Sequence, residues 1–97
     1  MAHSEVMQTE YEKKYELIEE PNSTLFRIKA LIDFNNVKKG DFGGLIEKEG
    51  NLSHFNNAWV SGDAKVSGDS KVSGDAKVSG NASVYGYAKV YGDANVS

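Results

Sequence analysis

The chain has 97 residues, a formal net charge of −3, one proline and no cysteine. That length suits one small domain, or a cap joined to a short repeat array. The absence of cysteine excludes disulfides and thiolate metal sites and fits a reducing cytoplasm, the expected location. No apolar run approaches the ~18 residues of a membrane span, and MAHSEVMQTE lacks the basic-then-apolar order of a signal peptide, so no membrane contact is expected.

Residues 1–50 carry seven Lys/Arg and ten Asp/Glu, whereas residues 51–97 carry four Lys and four Asp. The acid excess therefore lies in the first half. A phosphate-binding surface needs a basic stripe, so no direct nucleic-acid binding is expected.

Residues 1–12 are polar without pattern and predict a flexible tail. Residues 13–49 predict a β-hairpin cap and entry loop. Tyr15 and Leu17 alternate with Glu16, Pro21-Asn22-Ser23 is a turn signal, and Leu25–Phe34 predicts a second strand. Phe26, Ile28, Ala30, Ile32 and Phe34 share one face of that strand. Asn35-Asn36, Lys38–Asp41 and Gly43-Gly44 read as loop and turn, followed by a short strand at Leu45–Glu47.

Residues 50–97 predict a parallel coil of six-residue repeats, irregular at first and strict from about Ala58. Valine recurs at Val60, Val66, Val72, Val78, Val84, Val90 and Val96, and glycine at Gly62, Gly68, Gly74, Gly80, Gly86 and Gly92. Asp or Asn follows each glycine except at Tyr87. The small-polar-valine triplet alternates with period two, so Ala and Val face one side and Lys the other. Gly-Asx supplies corners, and three corners close one coil of roughly 18 residues, stacked about 4.8 Å apart. Solenoids of this size need covered ends, so the hairpin is expected to close one end and a second molecule the other.

An aliphatic residue followed four positions later by a small one, as in Val66/Ser70 and Val72/Ala76, resembles the left-handed β-helix of hexapeptide-repeat proteins. The entry segment DFNNVKKGDFGGLIEKEGNLSHFNNAWV is similar to the front of YdcK-like β-helix proteins of bacteria and phage. Asp33, Phe34, Asn35, Val37, Gly40, Gly43, Gly44, Ile46, Leu52, Ser53, Trp59 and Val60 carry the similarity. Leu45 stands where that pattern has Trp, and Asn56 where it has Gly. The resemblance implies an all-β protein: a short left-handed parallel β-helix capped by an N-terminal β-hairpin. It carries over no catalytic residue, and fold alone does not fix a reaction.

His54 is the main candidate for an enzyme, since hexapeptide acyltransferases use a histidine as general base. Its place in the irregular first coil favours packing instead. A three-histidine zinc site fails because the chain has two histidines, one of them His3 in the tail. The corner residues Asp63, Asp69, Asp75 and Asp93 serve as turn formers rather than calcium ligands. No catalytic residue, metal or cofactor is expected.

An 18-residue coil places Tyr85 over Ser67, Tyr87 over Asp69, Tyr91 over Ser73, Lys89 over Lys71 and Lys77 over Trp59. Tyrosine buries much area at low entropic cost, so the candidate partner or self-association surface is Tyr85, Tyr87, Tyr91, Trp59, Lys71 and Lys89. The leading expectation is a non-catalytic protein-binding module encoded by a phage or mobile element, in concrete form an inhibitor of a host defence complex, CRISPR-type or another nuclease. A homodimer through the open C-terminal end is expected with it. The alternatives are a self-assembling structural module and an acyltransferase-like enzyme.

Overall fold

A computed structural model describes residues 13–97; the expected 1–12 tail, with His3, lies outside the described residues. The described chain is all-β apart from one 3₁₀ turn at Glu49–Asn51. The strands are β1 (Tyr15–Glu19), β2 (Phe26–Ala30), β3 (Phe42–Ile46), β4 (Trp59–Val60), β5 (Lys65–Val66), β6 (Lys71–Val72), β7 (Lys77–Val78), β8 (Ser83–Val84), β9 (Lys89–Val90) and β10 (Asn95–Val96).

The repeat sets the register. Lys65 pairs with Ser83, Lys71 with Lys89, Trp59 with Lys77 and Lys77 with Asn95, always parallel and always 18 residues on. Three ladders result, β3-β5-β8, β6-β9 and β4-β7-β10, the second extended by a bridge from Leu52 to Val72. The chain thus makes three successive turns, the first irregular and the other two regular. The parallel pairing begins at Leu45–Ile46 of β3, inside the segment expected to be cap, rather than after residue 50.

Alternation fills the centre. Ala64, Val66, Val72, Ala76 and Val78 are completely buried, while Lys65, Lys71 and Lys77 between them are exposed. Fully burying a valine stabilises by about 1.5–3 kcal/mol. Ser70 takes the inward small position, and its hydroxyl donates to the Ser67 carbonyl at 2.6 Å. A buried hydroxyl would otherwise cost about 1–3 kcal/mol. The corners bond between turns as well, Asp69 N–H reaching the Gly86 carbonyl at 2.8 Å.

Each corner glycine from Gly62 to Gly92 has φ between 64° and 73°. A left-handed conformation costs an L-residue roughly 1–2 kcal/mol, so glycine repeats there. At Gly74 a Cβ would also come within 3.0 Å of the Gly92 nitrogen on the next turn. Asn56 stands at this corner phase in the first turn with φ 61°, which asparagine tolerates best among non-glycine residues. That explains how the chain departs from glycine there and still turns.

The hairpin joins the repeat through the main chain. β1 and β2 pair antiparallel, Tyr15 opposite Ala30, and β2 pairs antiparallel with β3 through a register shift between Arg27 and Lys29. The sheet order is therefore β1-β2-β3-β5-β8. Gly43 and Gly44, expected in a loop, lie inside β3. A Cβ at Gly43 would meet the Val60 carbonyl oxygen at 2.4 Å and Ile28 Cγ1 at 2.6 Å. Glycine here permits close packing rather than a turn. The second strand stops at Ala30 instead of continuing to Phe34, because Phe34 and Val37 exchange N–H···O bonds in a tight loop.

Candidate functional site

The two ends of the stack differ, and the difference locates the candidate surface. At the N-terminal end the dipeptide Lys14-Tyr15 closes the first turn. The Tyr15 hydroxyl donates to the Glu49 and Leu52 carbonyls. Lys14 Nζ donates to the Ala58 carbonyl at 2.6 Å and the Asn56 carbonyl at 3.2 Å, and lies 4.9 Å from the centre of the Phe34 ring. Both side chains are buried, at 0% and 1% exposure. Burial pushes the Lys14 ammonium down to about 8, against a smaller upward pull from Asp75.

Asn51 seals the adjoining corner. Its Oδ1 accepts from the Glu47 and Lys48 N–H groups at 3.0 and 2.9 Å, and its Nδ2 donates to the Gly68 and Ser70 carbonyls at 3.1 and 2.8 Å. A buried asparagine with both ends satisfied in this way fixes the entry geometry.

His54 belongs to this closure. Its ring stacks on Tyr15 with centroids 4.1 Å apart and planes 10° from parallel. Nδ1 accepts the Lys14 N–H at 3.1 Å, so the ring proton sits on Nε2 and is donated to Glu49 Oε2 at 2.7 Å. This bond, the leading cause, holds the Glu49 carboxyl below its ordinary range. A general base needs a lone pair facing substrate, and the Nδ1 lone pair is occupied by the main chain.

At the other end the arrangement reverses. On turn 65–78 the N–H groups of Lys65, Ser67, Lys71, Ser73 and Lys77 donate to carbonyls of the next turn at 2.9–3.0 Å. Their counterparts on turn 83–96 are the N–H groups of Ser83, Tyr85, Lys89, Tyr91 and Asn95. These have no such acceptor among the described residues. The inward small residues show the same change. Ala64, Ser70 and Ala76 are buried, whereas Ala88 and Ala94 one turn later are exposed.

Tyr85, Tyr87 and Tyr91 ring this end at 70%, 82% and 67% exposure. Lys71 and Lys89 stack in register and are exposed beside them. Trp59 does not join the surface. It is 6% exposed, with Phe34 edge-on at 5.2 Å and Tyr15 at 6.5 Å. Lys77 is its register partner, yet the cation–ring contacts among the described residues are Lys14 with Phe34 and Lys29 with Phe42. The loop around Phe34 covers the indole, which period counting along the repeat does not reveal. A cleft of about 320 Å³ remains beside it, lined by Asn36, Trp59, Lys77 and Asn95 among others.

Lys14 and Asn51 are the residues that sequence reasoning missed. Nothing in their spacing marks them; an Asn ahead of the repeat and a Lys before Tyr15 look like ordinary surface residues. Among the described residues no cluster of three or more His, Asp or Glu could hold a metal, and no helix is long and apolar enough to cross a membrane. No protein-family model matches the chain, and no curated protein matches it.

Proposed function

We propose that this chain is a non-catalytic protein-binding module, built on a short left-handed parallel β-helix of six-residue repeats, whose working surface is turn 83–96. The 18-residue register, the three ladders and the glycine corners support the helix. Its hand rests on the resemblance to hexapeptide-repeat proteins.

One observation carries the function: the chemistry of the repeat changes on the turn whose edge is open. Turn 65–78 carries Lys65, Asp69, Lys71, Asp75 and Lys77, whereas turn 83–96 carries only Lys89 and Asp93. Ser83, Tyr87 and Asn95 replace charged residues, and Tyr85 and Tyr91 replace Ser67 and Ser73. Interface cores lose charge and gain tyrosine in this way. The fold itself does not require the substitutions, because the preceding turn makes the same corners and ladders without them.

The test is a reversion to the preceding turn. Tyr85→Ser, Tyr87→Asp and Tyr91→Ser together restore residues already compatible with these positions. Wild-type and variant protein, matched by circular dichroism, would be used as bait in a bacterial extract with Phe42→Ser as a control. The proposal expects captured proteins to be lost with the tyrosines and kept with Phe42→Ser, which changes an exposed aromatic elsewhere. Identical capture by all three baits, together with self-association that the tyrosine changes leave unaltered, would refute it.

A further inference from the structure

We infer that the protein occupying turn 83–96 is a second copy of this chain, docked head to head across a two-fold axis. The inference rests on the protein-binding surface proposed above and names what it binds.

The first ground is the main chain. The open rim consists of three short strand edges, β8, β9 and β10, arranged around a closed triangle. A single added strand could pair with one edge and leave two. A body with the same three edges at the same spacing can pair with all of them, and turn 83–96 of another copy is such a body. Two rims brought face to face run antiparallel, a geometry in which every second edge residue, the one whose N–H and carbonyl face the rim, can both give and accept a hydrogen bond.

The second ground is the closed opposite end. A head-to-tail stack would need the first turn to accept the rim of the next molecule. There β2 already pairs with β3, and Tyr15 and Lys14 already occupy the carbonyls of Glu49, Leu52, Asn56 and Ala58. With one end closed, association through the other is isologous and stops at two. A growing fibre is disfavoured by the same contacts.

The third ground is charge. A two-fold axis sets each residue of the rim against the rim's own copy, so every added like charge is a liability. The rim retains one cation, Lys89, and one anion, Asp93. Tyr87 is the one corner where tyrosine replaces Asp or Asn. A self-facing surface gains from that loss of charge, and the exposed Ala88 and Ala94 gain cover from it.

Sedimentation equilibrium of the 97-residue chain tests this. The expected mass is about 21 kDa, twice 10.6 kDa. The Tyr85→Ser/Tyr87→Asp/Tyr91→Ser variant should weaken the dimer Kd by about tenfold or more per tyrosine with an unchanged far-ultraviolet spectrum. A thiol-reactive spin label at Ser83→Cys should report a short distance between copies, and one at Thr24→Cys in the hairpin turn a long one. Close Thr24 labels, or masses growing beyond the dimer, would overturn the head-to-head geometry. A monomeric wild type whose captured proteins still depend on the tyrosines would overturn the dimer and leave the protein-binding proposal standing. A monomer whose capture ignores them would overturn both.

Discussion

Replacing Lys14 with methionine should change how stability depends on pH. Lys14 is buried with its ammonium on two carbonyls, and burial lowers it from 10.5 to about 8. Because the folded value lies below the unfolded one, the folded state binds fewer protons between them. Stability must then rise with pH across that window, at about 1.4 kcal/mol per pH unit. The difference of 10.5 − 8, about 2.5, sets the total at about 3 kcal/mol. That stabilisation is present above 10.5 and lost as pH falls through about 8.

Lys14→Met keeps much of the stem's volume and removes the titration, but leaves the Ala58 and Asn56 carbonyls without their donor. Each lost partner costs about 1–3 kcal/mol, so the net effect at pH 7 is smaller than either contribution. The double difference is cleaner. Urea unfolding followed through Trp59, the sole tryptophan, would be run on both proteins from pH 7 to 10.5. Wild type should gain up to about 3 kcal/mol on the variant across that range, other titrations cancelling. A pH-independent difference would refute the low Lys14 value.

Gly43→Ala should cost about 3 kcal/mol by chemical denaturation, because its Cβ would fall 2.4 Å from the Val60 oxygen, whereas Gly50→Ala, with nothing within 4 Å, should stay within about 0.5 kcal/mol. Asn51→Leu should lose at least about 3 kcal/mol in the same assay, since it orphans two N–H groups and two carbonyls at a buried corner. Glu49→Gln should flatten the acid limb of the stability profile. The Glu49 folded value is lowered, so its contribution is present above the ordinary carboxylate range and fades as pH falls through the folded value. An unchanged acid limb would contradict the His54–Glu49 hydrogen bond.

The repeat was legible because its physics is local and periodic. Val66, Val72 and Val78 must point inward together once the corners repeat every six residues, and the hairpin of β1 and β2 follows from alternation around Pro21-Asn22-Ser23. The irregular entry was less legible. Gly43 and Gly44 look like loop residues until a second segment packs against them. Lys14 looks solvent-exposed until two main-chain carbonyls converge on it. Trp59 follows the outward phase of the repeat, and only the fold of the Phe34–Val37 loop hides it. The exposed positions of Tyr85, Tyr87 and Tyr91 could be read directly, since they follow from the outward and corner phases of the repeat alone.

The most direct test of the binding end is amide hydrogen exchange on turn 83–96, measured on dilute and concentrated protein. The N–H groups of Ser83, Tyr85, Lys89, Tyr91 and Asn95 should exchange freely when dilute and become protected when concentrated. Lys65, Ser67, Lys71, Ser73 and Lys77, bonded within the chain, should be protected at both concentrations. Free exchange of the outer set at every concentration would contradict self-association through this end.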